Sequence, residues 1–278
     1  MRRHSTRLQR SARVGAIVVA VIAVGACRQA IATYPSTDPR PAVTTLLTPD
    51  GTDAYNYASS TGQMQVAALD TNTSANLRSA FWPADSPVVA DAQSCATWAS
   101  ESIASAQQGA ALRIATANGS TRAITVTKNI VFGATWIFNV HTWDTAASPA
   151  FQPVGSISLK PELWPNDVEA VLPWHVCVRT VGTTLDLKVW RADEPEPAWG
   201  ETSHAGSVTL PEHAVYPGAT GWYIGHLSAG ARAEFTDLRT WKLVAGTPSA
   251  GPQPTSALRS TSTATPGAVT VTGGLPAR

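Results

Sequence analysis

Apolar and polar residues alternate with a period of two through the middle of the chain, in short runs broken by Gly, Pro, Asn and Ser. That period belongs to half-buried antiparallel strands, not to amphipathic helices. The clearest run is 174–191, WHVCVRTVGTTLDLKVWR. Two β-branched arms flank Val181-Gly182-Thr183-Thr184, and Gly182 can take the positive φ that a tight hairpin connection needs. In the second arm Leu185, Leu187 and Val189 share one parity, and Asp186, Lys188 and Trp190 the other. One face is therefore read as core and the other as available surface.

The same reading predicts further strands at 64–70, 87–91, 94–101, 109–116, 122–128, 134–143, 154–159, 205–210, 220–228 and 231–243. Asn118-Gly119-Ser120, Pro161, Pro165, the Pro195 to Pro197 stretch, Pro217-Gly218 and Ala229-Gly230 mark the breaks. Only 101–107 is compatible with a helix. Within 135–144, Trp136, Phe138 and Val140 are expected to point inward, leaving Asn139, His141 and Trp143 on one exposed face. Ala110, Leu112 and Ile114 are likewise expected inward, with Arg113 projecting outward. The fold expected is an all-β, two-sheet antiparallel sandwich.

The ends read differently. Met1–Arg13 carries Arg2, Arg3, Arg7, Arg10 and Arg13 without an acid, and 14–26 is uncharged and apolar. A basic segment followed by a short apolar one is an export signal. It closes on Val24-Gly25-Ala26-Cys27, which resembles a bacterial lipobox, so residues 1–27 are read as a signal ending in a lipidated Cys27. That would hold the protein at the outer face of the cell membrane. Cleavage after Ala32 would instead release a secreted protein, and an uncleaved helix is the third option. Residues 28–49 read as a flexible spacer, 50–245 as the sandwich domain, and 246–278, rich in Ser, Thr, Pro and Gly, as a disordered tail.

Composition narrows the partners. A net charge of +1 with 14% charged residues gives no basic field for nucleic acid. Ten Trp against five Phe suits a thick core, and also flat apolar ligands such as sugar rings. Of the three Cys, Cys95 and Cys177 lie inside the domain. In an exported protein they are read as a disulfide, two buried free thiols being the competing reading.

Three segments carry a resemblance. Gln107 to Ile114 (QQGAALRI), Arg179 to Trp190 (RTVGTTLDLKVW), and Gly221-Trp-Tyr-Ile-Gly followed by Ala233 to Arg239 (AEFTDLR) resemble the strands and hairpin of concanavalin A-like lectin/glucanase domains, the laminin G-like jelly rolls. With the signal and the Ala/Thr-rich composition, the chain resembles an exported actinobacterial lipoprotein of that type. The resemblance implies a jelly roll with one concave sheet and carbohydrate as the usual ligand class.

Catalysis has less behind it. The Glu-x-Asp-x-x-Glu pattern that would place two carboxylates about 5 Å apart on a strand is missing. Glu194 and Glu196, and Glu162, Asp167 and Glu169, lie in Pro-broken loops. Six His occur without zinc spacing. No cofactor is expected, and calcium has only Asn166-Asp167 or Asp193-Glu194 as candidate ligands. What remains is a stacking and hydrogen-bonding surface, for which Trp98, Arg113, Asn139, His141, Trp143 and Trp190 are the candidates. The favoured reading is a non-catalytic module binding a carbohydrate or cell-envelope glycan. A glycan-cleaving hydrolase with dispersed carboxylates and a surface module for a protein partner are the alternatives.

Overall fold

The structure, a computed structural model, describes residues 29–32, 42–60, 62–129, 137–159, 172–244 and 267–272. The segment read as an export signal, with Cys27, and Trp136, Glu162, Asn166, Asp167 and Glu169 lie outside the described residues. The chain folds as an all-β, two-sheet antiparallel sandwich of jelly-roll type. One sheet has nine strands: β13 (Ala205–Thr209), β12 (Thr184–Arg191), β11 (Trp174–Val181), β6 (Ala92–Glu101), β15 (Arg232–Val244), β4 (Gln63–Ala68), β3 (Ala54–Ser60) and β16 (Gly267–Thr272) in spatial order, with β1 (Gln29–Ala32) also pairing β15. The other has seven: β10 (Phe151–Ser158), β9 (Ile137–Asp144), β8 (Ser120–Lys128), β7 (Gln107–Ala117), β14 (Ala219–Gly225), β5 (Arg78–Pro83) and β2 (Ala42–Thr48).

The hairpin that organises the sequence is β11–β12, with Val181 opposite Thr184 and Gly182 at φ 55°. Leu185, Leu187 and Val189 all enter the core between the sheets, with Phe138, Val140, Leu112, Ile124, Trp222 and Phe235. Each such side chain contributes roughly 1.5–3 kcal/mol by leaving water. Cys95 and Cys177 stand directly opposite in β6 and β11 and form a disulfide.

Several expectations change. Strands β3 and β5 escape the periodicity because AYNYASS and RSAFWP mix small, polar and Pro residues instead of alternating cleanly. β2 lies in the segment read as spacer, yet Leu47 is fully buried. Gly267–Thr272 lies in the segment read as a disordered tail and pairs with β3. Residues 87–91 supply one isolated bridge, Val89 to Gly218, and 101–107 holds a turn, not a helix.

Candidate functional site

The sheets differ in what lies on their outer faces. On the seven-stranded sheet one transverse row runs Ser156, Asn139, Thr127, Gly109, Tyr223, Ala80, Thr45 through all seven strands. The next row begins Pro153, His141, Thr125, Ala111, Gly221, and a third pairs Phe151, Trp143 and Ala123. Gly109, Ala111 and Gly221 leave the middle of these rows open around Tyr223.

This face is steeply concave. Thr45 and Thr121 belong to β2 and β8, four strand positions apart, which in a flat sheet would mean ~19 Å. Their hydroxyls are 2.8 Å apart. The curl brings the flanks together and makes a second core from Leu47, Ala80, Trp82, Ala111, Ile114, Ala123, Trp143, Ala219 and Tyr223.

Trp143 is accordingly not an exposed platform. It is only 4% exposed, and its indole N–H donates to Thr125 Oγ1 at 2.9 Å. The aromatic surface that does reach solvent is Phe151, 38% exposed, its ring 5.4 Å from His141 and 5.2 Å from Trp143. His141 and Asn139 are half-buried at the same mouth. Burial first, then the positive charge of Arg78, holds the His141 imidazole below its ordinary pKa.

Arg78 stands on the opposite flank, opposite Gly225 and Thr48. A Cβ on Gly225 would lie 2.6 Å from Tyr223 Oη and 3.2 Å from Arg78 Cγ, so only glycine leaves room for both side chains. Tyr223 Oη donates to Gln107 Oε1 at 2.8 Å, and Gln107 Nε2 donates to Lys128 O. Burial raises the Tyr223 phenol well above its usual range, so it remains a donor. Beside the row, burial and then Arg78 lower the His226 imidazole to about 4.

The other candidates disperse. Trp98 shares parity with Ser94 and Ala96, not with Thr97, and is core at 1% exposure. Arg113 is also turned inward. A bulge between Leu112 and Ala115, with Arg113 at φ 51°, breaks the period-two parity. The guanidinium, 0% exposed, donates to the carbonyls of Ala90, Ala214 and Gly182. The same bulge sends Ile114 to the concave side. Trp190 lies on the outer face of the other sheet, packed with the disulfide and Trp241.

The six candidates therefore do not form one surface, and only Asn139, His141 and Trp143 share a face. Arg78 and Phe151 were missed because one lies in an unrecognised strand and the other three residues before a predicted one. Gln107 and Tyr223 stand within the quoted motifs, but nothing local distinguishes them from their neighbours. Among the described residues no group of three or more His, Cys, Asp or Glu is placed to hold a metal ion.

No protein-family model matches the chain, and no curated protein matches it. Solved structures do. The exoplasmic/lumenal domain of VIP36 in its Ca2+/Man3GlcNAc-bound form is 8% identical, with a TM-score of 0.42 over 76% of this chain and 86% of that one. The CBM2 module of the evolved Dit of Lactobacillus casei BL23 phage J-1 is 12% identical, at 0.40 over 78% and 97%. A Bacillus subtilis protein of galectin-like fold is 8% identical, at 0.42 over 69% and 89%. None of these similarities assigns a function.

Proposed function

We propose that this protein is a non-catalytic carbohydrate-binding module, exported and held at the outer face of the cell membrane by a lipid on Cys27. The observation that carries the binding reading is the mouth of the concave face. There an exposed Phe151 ring stands beside His141 and Asn139 on one flank, with Arg78 on the other. An apolar ring suits the C–H face of a sugar, and flanking amide, imidazole and guanidinium groups suit its hydroxyls. Rigid strands hold all four groups, so little ordering entropy opposes binding.

The test is retention of the purified chain on a panel of immobilised polysaccharides. Phe151→Ala and Asn139→Ala should each weaken binding about tenfold, the loss of one stacking or hydrogen-bonding contact of ~1.4 kcal/mol. If no polysaccharide retains the protein and a partner protein co-purifies, the interface reading replaces this one. Release of reducing ends from the panel would instead favour a hydrolase. Mass spectrometry of the mature N-terminus separates acylated Cys27 from cleavage after Ala32 and from an intact segment.

A further inference from the structure

Arg78 donates hydrogen bonds in the general carbohydrate reading, but its charge is not used by that reading. Its aliphatic stem lies over Gly225, and NH1 makes a 3.3 Å hydrogen bond to the carbonyl of Asn76. Among the described residues it has no ion pair, whereas Arg113, Lys128, Arg179, Lys188 and Arg191 each lie within 4 Å of a carboxylate. The rows of the concave face bring it none: opposite and beside Arg78 stand Gly225, Thr48, Tyr223, Ala80 and Thr45. His141 and His226 feel its charge and no acid's. A second polar group of note lies on the same face. Thr127, in the row with Asn139 and Tyr223, keeps a buried hydroxyl without a hydrogen-bond partner. Arg78 also hydrogen-bonds the Tyr223 hydroxyl, yet a half-buried guanidinium with no carboxylate beside it, on the face that carries the orphan hydroxyl of Thr127, suits an acceptor-rich, negatively charged group.

We infer that the glycan bound at this mouth is acidic, built with uronic or other acid-bearing sugars, and that Arg78 receives the acid group. The inference rests on the carbohydrate reading above and narrows it. A planar carboxylate fits the guanidinium fork bidentately, which a lysine cannot reproduce. The neighbouring imidazoles, held neutral, are left to donate and accept hydrogen bonds from hydroxyls.

Titration calorimetry with three probes tests this: an oligouronate, the same oligosaccharide after carboxyl reduction, and a sulfated form of the reduced oligosaccharide. The oligouronate should bind about tenfold more tightly than its reduced form, the worth of one charge-assisted pair. That preference should shrink as salt rises. Arg78→Gln should bring the affinities for the acidic and the reduced sugar to the same value, and an unchanged midpoint of urea unfolding reports that the variant is folded. Arg78→Lys should restore only part of it. Binding of the sulfated probe on the same Arg78 dependence would extend the assignment to anionic groups at large. Equal affinity for acidic and reduced sugars, or a preference that survives Arg78→Gln, overturns the inference and leaves the carbohydrate reading standing. Failure of all three probes, with polysaccharide retention also lost, overturns both.

Discussion

The two outer faces of the sandwich use the same kinds of residue to opposite ends. On the nine-stranded sheet Lys188 sits 2.6 Å from Glu196, and Arg179 donates to Asp186 at 2.8 Å. Trp199 lies 4.3 Å beneath the Arg179 guanidinium and 4.7 Å from the Lys188 ammonium. Trp190 stacks on His175 at 5.2 Å, and with Trp241 it packs against the disulfide. Even His175 is tied down, since its Nδ1 meets Thr97 Oγ1 at 2.7 Å and that hydroxyl donates to Asp237. On the seven-stranded sheet the indoles are closed into a second core, and Arg78 at the rim has no ion pair among the described residues. Tryptophan and cations near one another are therefore not themselves the mark of a binding surface.

The largest break in this comparison is expected from removing the disulfide. It closes a loop of 82 residues, so replacing both Cys95 and Cys177 by Ala should cost about 4 kcal/mol in urea unfolding. Glycan affinity measured on the folded fraction should stay the same, because the two faces are separate. A loss of affinity in step with stability would mean that they are not.

Next in size is the contrast between two arginines. Arg113 is wholly buried on three carbonyls, and Arg113→Met should lower stability by about 3 kcal/mol by stranding those acceptors. Arg78→Met should stay within about 0.5 kcal/mol of the parent, since among the described residues it breaks no ion pair and the bonds it loses lie at a solvent-exposed rim. Destabilisation by Arg78→Met of the same size would make Arg78 structural and end its distinction from the paired cations.

The smallest effect is on pH. His226 is lowered to about 4, and His141 and His175 are shifted in the same direction, burial being the first cause in each. A depressed folded-state pKa means that the unfolded chain takes up protons first. Stability should therefore be full above about pH 6.5. It should fall as pH drops toward the folded value and level off below about 4 for the His226 component. His226→Gln should flatten that slope in urea titrations between pH 7 and 4, and an unchanged slope would remove His226 from the account.

Much of the fold is legible in the residues. The β11–β12 hairpin, its bounds, its Gly182 and its three inward aliphatic residues follow from period two alone, because alternation is local and one strand needs no knowledge of the rest. Cys95 and Cys177 could be named as partners from the count of cysteines and from reading the N-terminal segment as an export signal. The site is legible only in part. Asn139, His141 and Trp143 do share a face, but parity says which side of a strand a residue leaves, not what waits there.

The amino-acid sequence by itself determined a sandwich of antiparallel strands and most of the residues between its layers. Three-dimensional packing decided the rest: the bulge that turned Arg113 inward, the strand that delivered Arg78, and the curl that set Thr45 against Thr121 and closed over Trp143. The reason is range. Alternation is fixed by neighbours two residues apart, whereas curvature sums the twist of seven strands drawn from residues 42 to 225, and only that sum determines which polar groups stay open to a ligand.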